Sequence, residues 1–181
     1  VFVDYVSGIY DSDTILCSPD EGGGKRVKRM KEQLKRDYDI DAKYVMISKT
    51  REEANLVSAM SVIGDVQGKN VIIIDDILDT GGTLVKAAET LMEVGAKSVK
   101  AVITHGILSG TAIERINNSQ LSKVILSDSV KKTSDHSVVN NDRFEIISVS
   151  RQIALVIASI NYSLSYEELK DSCKREKELN Y

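Results

Sequence analysis

The stretch VIIIDDILDTGGT, residues 71–83, decides the fold class of this 181-residue chain. Its first four residues are β-branched and apolar, which is typical of a buried strand in a parallel sheet. The residues that follow place one apolar stripe at helical spacing: Leu84, Ala87, Ala88, Leu91 and Met92. Gly95 then predicts the end of this helix. The stretch is therefore a strand, a tight polar loop and a helix N-terminus.

The loop between this strand and helix is suited to an anion. The first N–H groups of a helix have no partner within the helix, and they form the positive end of its dipole. Gly81 and Gly82 lack the Cβ atoms that would keep an anion away from those amides. Thr80 and Thr83 add hydroxyl donors. The sequence therefore predicts that this loop holds a phosphate.

Three acids in the same stretch need another explanation, because carboxylates repel phosphate. Asp75, Asp76 and Asp79 can accept hydrogen bonds from hydroxyl groups or bind hard cations such as Mg²⁺. A sugar phosphate, with a phosphate at one end and vicinal hydroxyls at the other, satisfies both halves of the loop. The alternative is an ordinary strand-to-helix turn in which Asp79 only caps the helix.

The composition excludes several classes of protein. Hydrophobic residues make up 42% and charged residues 28%, which is ordinary for a soluble globular domain. A net charge of −3 gives no reason to expect a nucleic-acid partner. The longest apolar run, at 153–160, is too short to predict a membrane span. Cys17 and Cys173 are the two cysteines, and such sparse cysteine use favours reduced thiols in a cytoplasmic protein.

Strand and helix patterns alternate along the rest of the chain. This alternation predicts an α/β domain with a mostly parallel sheet and helices on both faces. The further strands are predicted at 14–18, 43–49, 99–105, 123–128 and 144–150. The further helices are predicted at 23–38, 110–119 and 151–160. Polar segments at 50–63 and 131–142 show no regular period, and the highly charged tail 167–181 favours disorder.

Four polar or glycine-bearing segments follow predicted strands: SPDEGGG (18–24), SKTREEAN (48–55), DDILDTGGT (75–83) and THGILSGTA (104–112). Ligands bind parallel sheets at the carboxyl ends of the strands. We therefore expect these four segments to converge on one crevice.

In this order, the four segments closely resemble the C-terminal half of ribose-phosphate pyrophosphokinase over residues 14–130, and more loosely as far as Tyr166. The resemblance implies a type I phosphoribosyltransferase-like fold for residues 1–166, followed by the charged tail. It implies transfer of the diphosphoryl group of ATP to ribose 5-phosphate, giving phosphoribosyl pyrophosphate and AMP for nucleotide biosynthesis. The family's ATP-base-binding residues lie in the other half of a two-domain enzyme. The 181-residue chain by itself is therefore expected to bind ribose 5-phosphate without turnover.

The resemblance also implies roles for individual residues. The ribose 5-phosphate loop would comprise Asp75, Asp76, Asp79, Thr80, Gly81, Gly82 and Thr83. Lys49 and Arg51 match the cations of the family's catalytic loop, to which Asn55 also belongs, and Asp20 would lie near the sugar and a Mg²⁺ ion. Ser163 and Ser165 match a regulatory anion site. The family assembles dimers into hexamers, so a homo-oligomer is implied.

Alternatives remain for several of these features. Lys49 and Arg51 precede two glutamates, so an ordinary solvated loop with ion pairs also explains them. The basic helix at 25–36 is interpreted as a solvated face, and His105 as a hydrogen-bonded structural histidine. Two other functions remain open. One is a phosphoribosyltransferase that consumes phosphoribosyl pyrophosphate, and the other is a non-catalytic regulatory relative of the synthetase.

Overall fold

The computed structural model describes residues 2–50 and 59–179, and seven strands in that part of the chain form one sheet. The strands are β1 (Thr14–Ser18), β2 (Tyr44–Thr50), β3 (Ala59–Ile63), β4 (Asn70–Leu78), β5 (Ser98–Gly106), β6 (Leu121–Ser127) and β7 (Phe144–Ile147). The helices are α1 (Phe2–Ile9), α2 (Gly24–Tyr38), α3 (Gly82–Glu93), α4 (Ala112–Asn117), α5 (His136–Val139), α6 (Ser150–Tyr162) and α7 (Tyr166–Leu179), with a 3₁₀ turn at Lys131–Ser134.

The strand order defines where a ligand can bind. The sheet has the order β3-β2-β1-β4-β5-β6-β7, and every described neighbouring pair is parallel except β2 with β3. Along the chain, β1, β2 and β3 extend the sheet to one edge, and β4 to β7 then extend it to the other. Strands β1 and β4 are neighbours at the point where the strand order reverses. The crevice at their carboxyl ends is the position at which open α/β sheets bind ligands.

Strand β4 is apolar without alternation because both of its faces are buried. Val71 and Ile73 pack in a core with residues of α3 and α4, whereas Ile72 and Ile74 pack in a second core with residues of α1 and α2. Successive side chains of a strand point to opposite faces, so each face receives every second residue. Full burial of such a side chain contributes about 1.5–3 kcal/mol relative to exposure. The predicted α/β architecture with helices on both faces is confirmed.

Several elements differ from the expectations. The segment expected to be polar up to Ile63 contains β3, a short antiparallel strand at the sheet edge whose last residue is 60% exposed. Strand β4 continues through the acids to Leu78, because Asp75 and Ile77 pair with residues of β5. The irregular segment 131–142 contains the 3₁₀ turn and α5.

The part of the chain from Ser148 onward forms a second compact unit, separate from residues 2–147. It contains α6 and α7. Helix α6 ends at Tyr162 and is followed by Ser163, which adopts a left-handed conformation with φ 52°. The charged tail, for which composition favours disorder, is helical up to Leu179. Among the described helices, none combines the length and apolar character that crossing a membrane requires.

Candidate functional site

The loop that follows β4 leaves the start of α3 open to a ligand. Gly81 precedes the helix with φ 76°, a left-handed conformation that only glycine adopts readily, and no side chain caps the helix here. The side chain of Asp79 is exposed and makes no hydrogen bond to any described residue. The interpretation of Asp79 as a helix cap is therefore wrong. The unpaired N–H groups of the first turn remain available to an anion.

The loop after β5 holds the loop after β4 in place through backbone hydrogen bonds. The N–H groups of Ile107 and Leu108 donate to the carbonyl of Leu78 at 2.9 and 3.1 Å, and the Ser109 N–H donates to the Asp79 carbonyl at 3.1 Å. Leu108 is buried and has φ 56°. A left-handed conformation costs such a residue about 1–2 kcal/mol. The surrounding hydrogen bonds and burial hold it there, as is typical of loops that fix a functional site.

A cation from α4 also contacts the loop between β4 and α3. Arg115 donates a hydrogen bond from Nη1 to the carbonyl of Thr80. The same atom lies 3.3 Å from the place that a Cβ on Gly82 would occupy. Arg115 therefore brings positive charge to the first turn of α3. No local pattern in its own segment marks it, because its importance depends on the packing of α4 against the loop.

The loop after β1 is held by short-range hydrogen bonds. Ser18 Oγ donates to the Asp20 carbonyl at 2.6 Å, and Asp20 Oδ1 accepts from the Gly23 N–H at 2.9 Å. A Cβ on Gly23 would lie only 2.6 Å from Ser18 Oγ, so a larger residue here would displace the Ser18 hydroxyl from its hydrogen bond. This places the Asp20 carboxylate at the carboxyl end of β1, beside the end of β4.

An ion-pair contact between α2 and the end of β4 involves Arg26. Its Nη1 lies 2.8 Å from Asp75 Oδ1 and its Nη2 lies 2.5 Å from Asp76 Oδ2. The Arg26 side chain is 31% exposed, against 23% for Asp75 and 54% for Asp76. The interpretation of the whole basic helix as a solvated face is therefore wrong at this position. Arg26 ties α2 to the acids of β4 across the switch point of the sheet.

Burial and charge act differently on the two acids. Burial raises the pKa of Asp75 to about 6, against the opposing effects of the Asp76 N–H and the Arg26 charge. Burial also disfavours the charged form of Asp76. The Arg26 charge and the hydrogen bonds around this carboxylate outweigh it, so the pKa of Asp76 lies below its ordinary value. At neutral pH both acids are ionised, and Arg26 offsets one of their two charges.

The other predicted site residues are not tested by these contacts. Lys49 is in β2, where its backbone pairs with Met60, while Arg51 and Asn55 lie outside the described residues. Their catalytic role stays a prediction, as does the regulatory role of Ser163 and Ser165, which belong to the second unit.

His105, near the end of β5, is placed beside Ser129. His105 Nδ1 lies 2.8 Å from Ser129 Oγ, in agreement with a hydrogen-bonded structural histidine.

Within the described part of the chain, no three acidic, histidine or cysteine side chains lie close enough together to hold a metal ion. Mg²⁺ commonly uses only one or two carboxylates together with water and substrate phosphates. A single carboxylate such as Asp20, at the edge of the crevice, fits that mode of binding.

Comparisons with known proteins show the family of this chain. The family model described as phosphoribosyl synthetase-associated domain matches residues 23–169. Ribose-phosphate pyrophosphokinase 2 of Saccharomyces cerevisiae is 42% identical over 157 residues, which cover 86% of this chain and 46% of that protein. Ribose-phosphate pyrophosphokinase of Bacillus subtilis is 37% identical over 165 residues, with coverages of 90% and 49%. This chain belongs to the ribose-phosphate pyrophosphokinase family.

A solved structure gives the same result for the fold. The crystal structure of phosphoribosylpyrophosphate synthetase from Mycobacterium smegmatis matches with a TM-score of 0.76 and 29% identity. The match covers 90% of this chain and 50% of that one. The expected phosphoribosyltransferase-like α/β fold is confirmed. The chain spans about half the length of the curated relatives that it matches.

Proposed function

We propose that this chain is the sugar-phosphate-binding domain of a ribose-phosphate pyrophosphokinase. The complete protein would transfer the diphosphoryl group of ATP to ribose 5-phosphate, giving phosphoribosyl pyrophosphate and AMP for nucleotide biosynthesis. One observation carries the proposal. At the switch point of the sheet, an uncapped helix start lies directly after a pair of carboxylates that a single arginine holds together.

The two ends of this site suit the two ends of the substrate. The residues from Thr80 to Thr83 would grip the 5-phosphate through N–H groups, hydroxyl groups and the positive end of the α3 dipole. The carboxylates of Asp75, Asp76 and Asp79 would accept hydrogen bonds from the ribose hydroxyls. The distribution of charge supports this orientation, because Arg115 contacts the phosphate end and the acids lie at the sugar end.

The proposed reaction needs positive charge at the transferring phosphates. The anomeric hydroxyl of ribose 5-phosphate would lose its proton to solvent as its oxygen forms a bond to the β-phosphorus of ATP. The bond between that phosphorus and the oxygen bridging to the α-phosphate breaks, and AMP leaves. Lys49 and Arg51 would stabilise the charge that develops on the phosphoryl oxygens, and loss of one such group costs about 2.7–4 kcal/mol. Asp20 would help to hold a Mg²⁺ ion, which would supply further neutralisation of the phosphates.

Two further properties belong to the same proposal. Ser163 and Ser165 would contribute to a regulatory anion site, and the protein would form homo-oligomers. Their support is the resemblance of their segment and of the chain to the family.

The test is an assay of a protein with the full length of the relatives, supplied with ATP and ribose 5-phosphate. Our proposal predicts AMP and phosphoribosyl pyrophosphate in equal amounts. A phosphoribosyltransferase would release no AMP and would instead consume phosphoribosyl pyrophosphate when given a nucleobase. A non-catalytic relative would do neither, and either of these two results would overturn the proposal.

A further inference from the structure

The contact between Arg26 and the two acids uses only half of each carboxylate. Its Nη1 binds Asp75 Oδ1, which also accepts the Asp76 N–H at 2.9 Å, and its Nη2 binds Asp76 Oδ2. The other oxygens, Asp75 Oδ2 and Asp76 Oδ1, take no part in the ion pairs with Arg26. The two carboxyls also form a hydrogen bond with each other, and beyond that contact the acids keep acceptor capacity for a ligand.

Neighbouring residues of a strand do not normally present their side chains to the same partner. Successive side chains in β4 point to opposite faces of the sheet, as Ile73 and Ile74 do in the two separate cores. At the carboxyl end of the same strand, one guanidinium nevertheless binds both Asp75 and Asp76. The planar fork of Arg26 is the group that holds these two carboxylates together against their mutual repulsion.

Arg26 itself is held in place by its surroundings. The neighbouring Val27 is fully buried and fixes the first turn of α2 against the sheet. The turn before the helix leaves room for the guanidinium, because a Cβ on Gly23 would lie 3.2 Å from Arg26 Nη1. The position of the fork is thus set by the β1 loop and by the packing of α2.

We propose that Arg26 is a positioning residue that gives the site its preference for a vicinal diol. By engaging one oxygen of each acid, it fixes the spacing of the two remaining oxygens, so that each accepts one of the adjacent hydroxyls of a ribose. This inference rests on the proposed binding of ribose 5-phosphate at the same loop.

The proposed role depends on the planar geometry of the Arg26 guanidinium as well as on its charge. Lysine keeps a positive charge but carries a compact ammonium that cannot bind two carboxylates in a fixed plane. Arg26→Lys should therefore loosen the acids while leaving the local charge intact. Arg26→Gln removes the charge as well and provides a second variant if the first does not fold. Arg29→Gln is the matched control, because Arg29 is exposed on the same helix and forms no ion pair with a described residue.

The experiment measures the binding of three ligands to the 181-residue chain and its variants by calorimetry: ribose 5-phosphate, 2-deoxyribose 5-phosphate and inorganic phosphate. A hydrogen bond from a hydroxyl to a carboxylate predicts that the parent binds ribose 5-phosphate about tenfold or more tightly than its 2-deoxy analogue. In Arg26→Lys and Arg26→Gln we expect this preference to fall to about twofold or less, with the affinity for inorganic phosphate changed less than about threefold. Arg29→Gln should keep the preference of the parent.

Each result decides between the two proposals. If the parent binds ribose 5-phosphate and prefers it, but both folded Arg26 variants keep the preference, the positioning role is refuted and the proposed function stands. If the Arg26 variants lose all three ligands to the same extent, Arg26 supports the whole loop and the diol inference is likewise refuted. If the parent does not bind ribose 5-phosphate, the proposed function fails and the inference fails with it.

Discussion

Arg115 on α4 donates a hydrogen bond from Nη1 to the carbonyl oxygen of Thr80 at a distance of 2.8 Å, across a separation of 35 residues in the chain. The contact joins the helix that follows β5 to the loop that precedes α3. It restrains the loop and places a guanidinium beside the first turn of α3. The two arginines thus have different positions, with Arg115 beside Thr80, at the proposed phosphate end, and Arg26 beside Asp75 and Asp76, at the proposed sugar end.

This position makes Arg115 a test of the phosphate end alone. Arg115→Ala should lower the affinity for ribose 5-phosphate and for inorganic phosphate in parallel, by about tenfold, since a charged hydrogen bond contributes about 1.5–3 kcal/mol. Calorimetry with both ligands measures the effect. Lys28→Ala, which removes an exposed cation elsewhere on α2, is the control for net charge. A loss confined to ribose 5-phosphate would show that Arg115 acts on the sugar end instead.

Gly81 is the position at which the backbone of the loop can be tested. Its φ of 76° is matched by Gly68, with φ 69°, and a Cβ at either position meets no atom closer than 3.7 Å. Alanine at each should cost about 1–2 kcal/mol of unfolding free energy, because both are left-handed. Chemical denaturation measures this cost, and calorimetry should show weaker ribose 5-phosphate binding in Gly81→Ala only. Equal affinity of the two variants for ribose 5-phosphate would show that the loop backbone does not contribute to binding.

The opposite pKa shifts of the two acids predict opposite effects of pH on stability. The pKa of Asp75 is raised in the folded protein from 3.8 to about 6, so its contribution to stability is complete below 3.8 and is lost as pH rises through about 6. Asp75→Asn has no carboxyl at this position, so it does not lose stability by ionisation there. Its unfolding free energy, measured in denaturant from acid to neutral pH, should therefore rise relative to that of the parent across this range.

Asp76→Asn is the matched comparison for this measurement. The lowered pKa of Asp76 means that its contribution is present above its ordinary pKa and is lost as the solution becomes more acidic. Relative to the parent, Asp76→Asn should thus become less stable as pH rises through the acid range. The same trend in both variants would contradict the assignment of the raised pKa to Asp75.

Lys49 and Arg51 test the proposed chemistry separately from sugar binding. In a protein of the relatives' full length, alanine at either position should lower kcat by about a hundredfold or more, as expected when a preorganised charge stabiliser is lost. Ribose 5-phosphate affinity should change little. The measurements are AMP release under saturating substrates and equilibrium binding of the sugar phosphate. A kcat within a few-fold of the parent for both variants would favour the interpretation of this segment as an ordinary solvated loop.

The sequence predicted the parts of the site that lie within one local pattern. The apolar run 71–74, the glycine pair and the helical stripe after it lie within about twenty residues, so their periods indicate strand, loop and helix directly. Gly95, expected at the helix end, has φ 94° and follows α3. Local spacing also predicted that loops from several strands would meet at one edge of the sheet.

The contacts that join distant segments could not be predicted in the same way. Arg26 and Asp75 are 49 residues apart, and the amphipathic pattern of α2 indicates only that Val27 and Leu34 face the core. Whether the residue beside Val27 points to solvent or to the crevice depends on where α2 packs on the sheet. The antiparallel strand β3 was missed for a related reason, since its pairing with β2 at the edge leaves little hydrophobic periodicity.

The central claim is that the loop between β4 and α3 binds ribose 5-phosphate, and calorimetric titration of the 181-residue chain tests it most directly. The parent should show saturable binding. Asp79→Ala and Thr83→Ala should each weaken it by about tenfold or more, since each removes a hydrogen bond to a charged group. Both variants should keep the parent's Tm, because neither side chain is buried. Asp142→Ala, at an exposed acid before β7, is the control. Absence of binding by the parent, or unchanged affinity in both loop variants, would contradict the claim.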